Sequence, residues 1–378
     1  MPAIETIEVD DSLIDSRSPL TPAVHDVYRR LRWHRNHADL RRDLAQTRNA
    51  IIRCRSRKPL RIVLLGLGTV GFGVFRHLSA RPDLFDVRQV VVRDVARHRD
   101  QGVPPERLST NLWKAINEPA DLVIELIGGV DAATDVVLAS LLRGRSVITA
   151  NKALVATHWE MLERYARELQ PRLRFSAAVG GVVPVLETLS HLSRDNTLTR
   201  VRAVINGTCN FILDELAGGR TLPEAVTLAQ QLGLAEADPR TDLDGSDAAQ
   251  KLCLIARAAF GATLSPDAIH RTGIEQLTPD EVMRAEAEGS RLRLVATCER
   301  QSGAIRASVR PERLGAGDYL AGARRENNRV EINTASGATV RLAGKGAGRW
   351  PTALAVMGDV FDLLEDELAL HQAVVAWE

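Results

Sequence analysis

Between residues 60 and 180, short apolar runs alternate with stretches whose apolar positions recur every three or four residues. Leu60–Leu65 is one such run, closed by Gly66, and suits a strand buried on both faces. A helix is expected from Thr69 to about Leu78. Further strands are expected at Val87–Val92, Leu122–Ile127, Ser146–Thr149 and Leu173–Ala177, and helices at Ala132–Leu142 and His158–Glu168. Strands alternating with helices imply an α/β fold with a parallel sheet and right-handed crossovers. Beyond about residue 180 the pattern changes. Helical spacing covers Pro184–Ser193, Asn210–Ala217, Pro223–Leu232 and Asp247–Phe260. Strand-like alternation covers Thr199–Ile205, Arg291–Glu299, Ala304–Val309, Arg329–Asn333 and Thr339–Leu342, an α+β grammar. Pro351 to about Leu364 reads as a closing helix that returns to the first domain.

The N-terminal 58 residues stand apart. Residues 1–20 read as a loose acidic tail. Thr21 and Pro22 suit an N-cap and a first helical position, and Val24, Val27, Leu31, Leu40 and Leu44 give a broken helical stripe. Arginines crowd this arm, so it is basic and partly helical. A solvated amphipathic arm packed on its own body or on a twin subunit is the plain reading; a patch for an acidic partner is the sharper one.

Composition narrows the class. Of 378 residues, 45% are hydrophobic and 26% charged, which excludes disorder as the main state. Lys+Arg (49) balance Asp+Glu (48), against a dedicated nucleic-acid binder. No apolar run is long enough to cross a membrane, and the N-terminus lacks a secretory core. Cys54, Cys209, Cys253 and Cys298 form no CxxC pair, so buried thiols in a cytoplasmic, reducing setting are expected.

Gly66-Leu67-Gly68-Thr69-Val70-Gly71 follows an apolar strand and opens a helix. In that context the glycines permit a tight turn, close approach of a pyrophosphate and close helix–strand packing, the fingerprint of a Rossmann-type nucleotide-binding domain. The helix N-terminus adds amide donors for the phosphates. The second strand ends in Arg93-Asp94. An acid there accepts from a ribose 2′-OH and favours NAD, whereas an arginine favours the 2′-phosphate of NADP. Arg93 comes first, so NADP(H) is expected with NAD(H) usable, unless Arg93 is a plain surface charge. Glu125-Leu126-Ile127-Gly128-Gly129 ends another buried strand and opens space at the sheet's carboxyl edge; Glu125 itself reads as a partly buried carboxylate with a structural partner. Lys152, just after Thr149-Ala150-Asn151, is expected to face the cofactor crevice, the alternative being a surface lysine. Between Glu236 and Asp247 five carboxylates fall within twelve residues, at offsets that do not fit an EF-hand. Asp247 and Lys251 lie four apart on one helix face, among Ala248, Leu252, Leu254 and Ile255. Apolar surroundings favour a neutral amine suited to proton transfer, and nearby carboxylates oppose that.

Together these segments resemble homoserine dehydrogenase from about residue 60 to 365. The marks are GLGTVG (66–71), ELIGG (125–129), TANKALVA (149–156), INGTCNFIL (205–213), GLAEADPRTDLDGSDAAQK (233–251) and GKGAGRWPTA (344–353). The resemblance implies NAD(P)-dependent oxidation of L-homoserine to L-aspartate 4-semialdehyde and the reverse. It assigns acid–base duty to Lys251, a second lysine beside substrate and nicotinamide to Lys152, and orienting carboxylates to Asp242 and Asp247. Glu236 matches the group that takes the substrate's amino end, Gly207 and Thr208 the loop near its carboxylate, and Gly346 a glycine loop that reaches the cofactor. It also implies a homodimer, with residues 59–178 plus 350–378 as the nucleotide-binding domain and 179–349 for substrate binding and dimerisation.

Three departures stand out. Ser176 occupies the place of a glutamate that usually opens a monovalent-cation loop; the carbonyls of Val179, Gly181 and Val183 remain as donors. Lys345 stands where proline is usual, a cation suited to a cofactor phosphate. Residues 1–58 match nothing in the family, and no regulatory amino-acid-binding domain is expected after residue 378. Two alternatives stay open: a homologue acting on another amino-acid semialdehyde, and a catalytically idle nucleotide-binding homologue.

Overall fold

The computed structural model describes residues 4–8, 58–168, 172–195, 197–346 and 348–375. The arm helix expected from Thr21 and Cys54 lie outside these residues. The loose tail does not hold for residues 4–8, which form β1 (Ile4–Glu8), parallel to the strand Thr339–Lys345. Ile4, Thr6 and Ile7 are β-branched and suit an edge strand, a local preference that the flanking acidic residues obscure.

The described residues fall into two compact units, 58–178 with 348–375 and 4–8 with 179–346. In the first unit, β2 (Leu60–Leu65), β3 (Phe85–Val91), β4 (Leu108–Ser109), β5 (Leu122–Glu125), β6 (Ser146–Thr149) and β7 (Leu173–Arg174) make one sheet in the order β4-β3-β2-β5-β6-β7. Every pairing is parallel. Successive residues of β2 face opposite layers. Ile62 and Leu64 pack with Val74 and Leu78 of α1 (Thr69–Ser79) and with Ala353, Val356 and Val360 of the closing helix Arg349–Val375. Val63 and Leu65 pack with Ile116 of α2 (Leu112–Asn117), Val137 and Leu141 of α3 (Asp131–Leu142), and Leu154 and Leu162 of α4 (Lys152–Glu168). Each of these side chains is buried, a gain of about 1.5–3 kcal/mol for each valine, leucine and isoleucine. The strand order reverses between β2 and β5, and ligands of open parallel sheets bind at such a point.

Several boundaries differ from the sequence reading, those of β3 and the closing helix among them. β5 stops at Glu125, because Gly128 and Gly129 turn the chain at φ 70° and 72°. β7 has two residues only and gives way to a 3₁₀ turn at Ser176–Ala178. α4 begins at Lys152, with a non-helical break at His158 (φ −118°, ψ 22°).

In the second unit, α5 (Val185–Asp195) precedes β8 (Leu198–Val204), which sits inside a mainly antiparallel sheet. From β8 the chain runs through α6 (Gly207–Ala217), α7 (Leu222–Gln231), the short α8 (Arg240–Leu243) and α9 (Ser246–Phe260). Then come β9 (His270–Arg271), α10 (Pro279–Ala287), β10 (Ser290–Gln301), β11 (Ala304–Gly315), β12 (Asn327–Thr334) and β13 (Thr339–Lys345). β8 pairs antiparallel with both β10 and β12, and α9 packs across β8, β10 and β11. β11 runs past its expected end at Val309: Pro311 pairs with Leu294 on one side, while β9 covers only Ser308 and Val309 on the other. Pro311 thus lies on an edge, where a missing N–H costs little.

Candidate active site

In the first unit the glycine motif divides its work. Gly66 has φ 100°, and a Cβ there would stand 2.5 Å from the Leu126 carbonyl. A Cβ on Gly71 would collide with the Gly66 carbonyl, so helix and strand meet only through glycine. Gly68, the N-cap of α1, faces open space, as do Gly128 and Gly129. A cradle with tight ends and an open middle fits a dinucleotide pyrophosphate, with Leu67, Thr69 and Val70 completing the turn into α1. At the end of β3, Arg93 is exposed. Asp94 is engaged by its own turn: it accepts the Ala96 N–H at 2.9 Å and lies 3.5 Å from Arg97.

Glu125 organises the neighbouring strand ends more fully than the sequence suggested. It is completely buried and is the register partner of Thr149. Oε1 accepts from the Ile127 and Gly128 N–H groups at 2.9 and 3.2 Å, and the Thr149 hydroxyl donates to Oε2 at 2.5 Å. Burial pushes the Glu125 carboxyl up, and these hydrogen bonds pull against it. Thr149 Oγ1 accepts the Asn151 N–H at 2.9 Å. Asn151 donates to the Gly129 carbonyl at 2.5 Å, and its Oδ1 accepts the Leu154 N–H at 3.1 Å. Lys152 opens α4 directly after this network, so one buried carboxylate fixes the turn at Gly128–Gly129 and the backbone leading to Lys152.

In the second unit the centre is the turn from β8 into α6. Asn206 caps α6, accepting the Cys209 N–H at 2.8 Å. Its Nδ2 donates to Asp242 Oδ1 at 2.7 Å and to Asp247 Oδ2 at 2.9 Å. Lys251 Nζ donates to that same Asp247 oxygen at 2.6 Å and to the Ile205 carbonyl at 2.8 Å. Lys251 and Asp247 keep 14% and 9% of their side-chain exposure, and Ala248, Leu252, Leu254 and Ile255 beside them are buried. Lys251 therefore sits in a largely dry site, held by a carboxylate and a carbonyl. The sequence reading missed Asn206 and the Ile205 carbonyl; the only local sign was an N-cap asparagine ahead of Gly207.

The five carboxylates of the acidic block separate. Asp242 and Asp247 converge on Asn206. Asp244 accepts from the N–H and hydroxyl of Ser246 at 2.7 and 2.8 Å. Asp238 forms an exposed pair with Arg240. Glu236 is exposed, and the Thr208 hydroxyl ties the nearby Leu234 carbonyl to α6 at 2.8 Å. Among the described residues no three His, Cys, Asp or Glu side chains gather in a metal-holding group. Cys209, Cys253 and Cys298 are free and buried; burial pushes Cys253 up to about 12.

The loop Val179–Val183 carries Gly180 and Gly181 at φ 87° and 60°, and the Val183 carbonyl already accepts the Val185 N–H at 2.8 Å. The Ser176 N–H donates to Asp359 at 3.0 Å. Gly346 abuts Asn328, so any side chain there would collide. Lys345 lies 3.8 Å from Glu326.

The family model for homoserine dehydrogenase matches residues 184–361, and that for the homoserine dehydrogenase NAD binding domain matches residues 66–176. A homoserine dehydrogenase of Corynebacterium glutamicum is 36% identical over 314 residues, covering 79% of this chain and 70% of that protein. One from Pseudomonas aeruginosa is 35% identical over 317 residues, covering 81% and 73%. The crystal structure of a homoserine dehydrogenase from Thiobacillus denitrificans superposes with a TM-score of 0.78 at 33% identity, over 82% of this chain and 74% of that one. With a glycine cradle in one unit and a carboxylate-held lysine in the other, the chain belongs to the homoserine dehydrogenase family.

Proposed function

We propose that the chain oxidises L-homoserine at C4 to L-aspartate 4-semialdehyde and runs the reverse reduction, with NADP(H) preferred over NAD(H). The observation that carries this reading is Lys251, held at 2.6 Å by Asp247 and at 2.8 Å by the Ile205 carbonyl. When bound, the nicotinamide cofactor supplies the ring that accepts or returns a hydride. Gly66, Leu67, Gly68, Thr69, Val70 and Gly71 would hold its phosphates, with Gly128 and Gly346 lining its path and Arg93 meeting a 2′-phosphate. In oxidation Lys251 takes the hydroxyl proton; in reduction its ammonium gives that proton to the aldehyde oxygen. An ammonium has three hydrogens, and Asp247 and Ile205 engage two. The third serves the reacting oxygen. Asp247 orients Lys251 directly, and Asp242 bears on it through Asn206, which donates to both carboxylates. Glu236 takes the substrate's ammonium, Gly207 and Thr208 its carboxylate, and Lys152 stands beside the reacting oxygen.

A monovalent cation would be held by the carbonyls of Val179, Gly181 and Val183, neutral donors suited to Na⁺ or K⁺ rather than to a transition metal. A homodimer in the cytoplasm completes the reading. Light scattering tests the dimer, and rates in sodium, potassium and cation-free buffers test the ion. The central experiment follows nicotinamide absorbance with L-homoserine and with other four- and five-carbon amino alcohols. Homoserine is expected to be the best substrate. Negligible homoserine turnover beside rapid turnover of another alcohol would move the assignment to that substrate, and no turnover of any would favour the idle homologue.

A further inference from the structure

Arg293 lies on β10 with a side chain only 1% exposed. A buried guanidinium is costly unless its donors are matched. Here Nη2 donates to Asp214 at 2.5 Å, Nε to the Ala323 carbonyl at 2.7 Å and Nη1 to the Leu292 carbonyl at 2.8 Å. The other oxygen of Asp214, on α6, accepts the Arg325 N–H at 3.1 Å. The pair therefore grips both ends of the short segment Ala323–Arg325. Arg325 has φ 49°, a left-handed backbone that a non-glycine residue adopts only when its surroundings hold it there.

The next residue, Glu326, touches two glycines assigned to ligand binding. Its Cα would stand 2.9 Å from a Cβ on Gly207, and its carbonyl accepts the Gly346 N–H at 2.9 Å. Asn210 Nδ2 donates to the following carbonyl, Asn327, at 3.0 Å, closing the segment against α6. Gly207 in turn adjoins Asn206, the hub of the lysine site.

We propose that the Arg293–Asp214 pair positions the 323–326 turn, and through Glu326 sets the backbone of Gly207 and Gly346. Arg293 and Asp214 are positioning residues for substrate binding and touch no reacting atom. The inference rests on the reading that Gly207 lies at the substrate's carboxylate.

The test compares steady-state kinetics of the full-length wild type with Arg293→Lys, Arg325→Val and the double variant Arg293→Lys/Arg325→Gly. Lysine keeps the charge but gathers its donors on one nitrogen, which cannot span acceptors that the guanidinium meets with three nitrogens, so KM for homoserine is expected to rise about tenfold with kcat within about twofold. Arg325→Val leaves the buried pair intact and penalises the left-handed backbone, and should raise KM similarly. Glycine adopts that backbone without cost, so the double variant is expected to recover most of the wild-type KM. Unchanged KM in folded Arg293→Lys and Arg325→Val protein overturns the proposal, as does a loss confined to kcat. A double variant that keeps the raised KM overturns action through the turn. If Arg293→Lys does not fold, Arg325→Val decides alone. A wild type that does not turn over homoserine refutes the functional assignment instead.

Discussion

Lys251 Nζ lies 2.6 Å from Asp247 Oδ2, one helical turn away on α9, and Asn206 donates to that same oxygen. A single carboxylate oxygen thus meets two donors and fixes the lysine's direction as well as its charge. Replacing Lys251 by Ala should lower kcat on the order of 10²–10⁴-fold, the usual range for removing a general acid–base group. Arginine keeps the charge but does not exchange a proton near neutral pH, so Lys251→Arg should be nearly as slow. Steady-state rates in both directions check this, and an undiminished rate in either variant removes Lys251 from the chemistry.

Asn206 carries a second expectation. Its amide spans Asp242 and Asp247, and its oxygen caps α6. Asn206→Ala loses the cap, about 1 kcal/mol, and leaves two carboxylates facing each other without a donor between them. Asn206→Asp keeps a cap but adds a third acid. We expect Asp to impair kcat/KM more than Ala while costing less helix capping. Wild-type kinetics in both variants would mean that Asn206 serves the helix alone.

Glu125→Ala strands two backbone N–H groups and the Thr149 hydroxyl in a buried site, a loss of about 2–4 kcal/mol of stability. Glu125→Gln keeps an acceptor for Ile127 and Gly128 and can donate to Thr149, so it should remain close to wild type in denaturant unfolding. NADPH binding followed by nicotinamide fluorescence should weaken in the alanine variant, because the Gly128–Gly129 turn loses its anchor. Alanine and glutamine variants that both unfold at the wild-type midpoint would show that the carboxylate anchors nothing.

These expectations divide by what the sequence exposes. The parallel sheet was legible because its central strands β2, β5 and β6 are short apolar runs bounded by turn residues, and the glycine motif because its neighbours are a strand and a helix. Local rules lost track where tertiary partners decide. α10 gives the sequence pattern no clear sign although Thr278 and Glu281 form a capping box, since only Val282 and Ala285 of that helix are buried and its apolar stripe is thin. The expected β11 ends at Val309, before Pro311, because the proline's edge position is a property of the sheet. Asn206 remained hidden for the same reason. Its partners Asp242 and Asp247 lie 36 and 41 residues away, and nothing local brings them together.

Arg93 should decide cofactor choice. With Asp94 engaged by the Ala96 N–H and Arg97, the exposed guanidinium is the better placed of the two to meet a ribose substituent. Arg93→Ala should weaken NADPH about tenfold and leave NADH within about twofold, because a charge-assisted bond to a phosphate is lost. Fluorescence titration with both cofactors measures this. Equal weakening of NADPH and NADH would assign Arg93 to a part of the dinucleotide that they share.

His77 gives the fold an acid dependence of its own. The ring is 3% exposed and packs edge-on against Trp350 with centroids 5.6 Å apart. Burial, with Arg76 beside it, lowers its pKa from 6.5 to about 4. Between those values the unfolded chain binds a proton that the folded one refuses, so stability from the neutral ring is complete above about pH 6.5 and is lost as pH falls through 4. The lowered pKa corresponds to roughly 3 kcal/mol, reached only at the acid end. His77→Phe, which keeps the ring and cannot titrate, should therefore lose less stability than wild type as pH falls from 6.5 to 4. The carboxylates titrate alike in both proteins, so the difference between their urea midpoints isolates this one group. Parallel midpoints across that range would mean that His77 is protonated without penalty in the folded state.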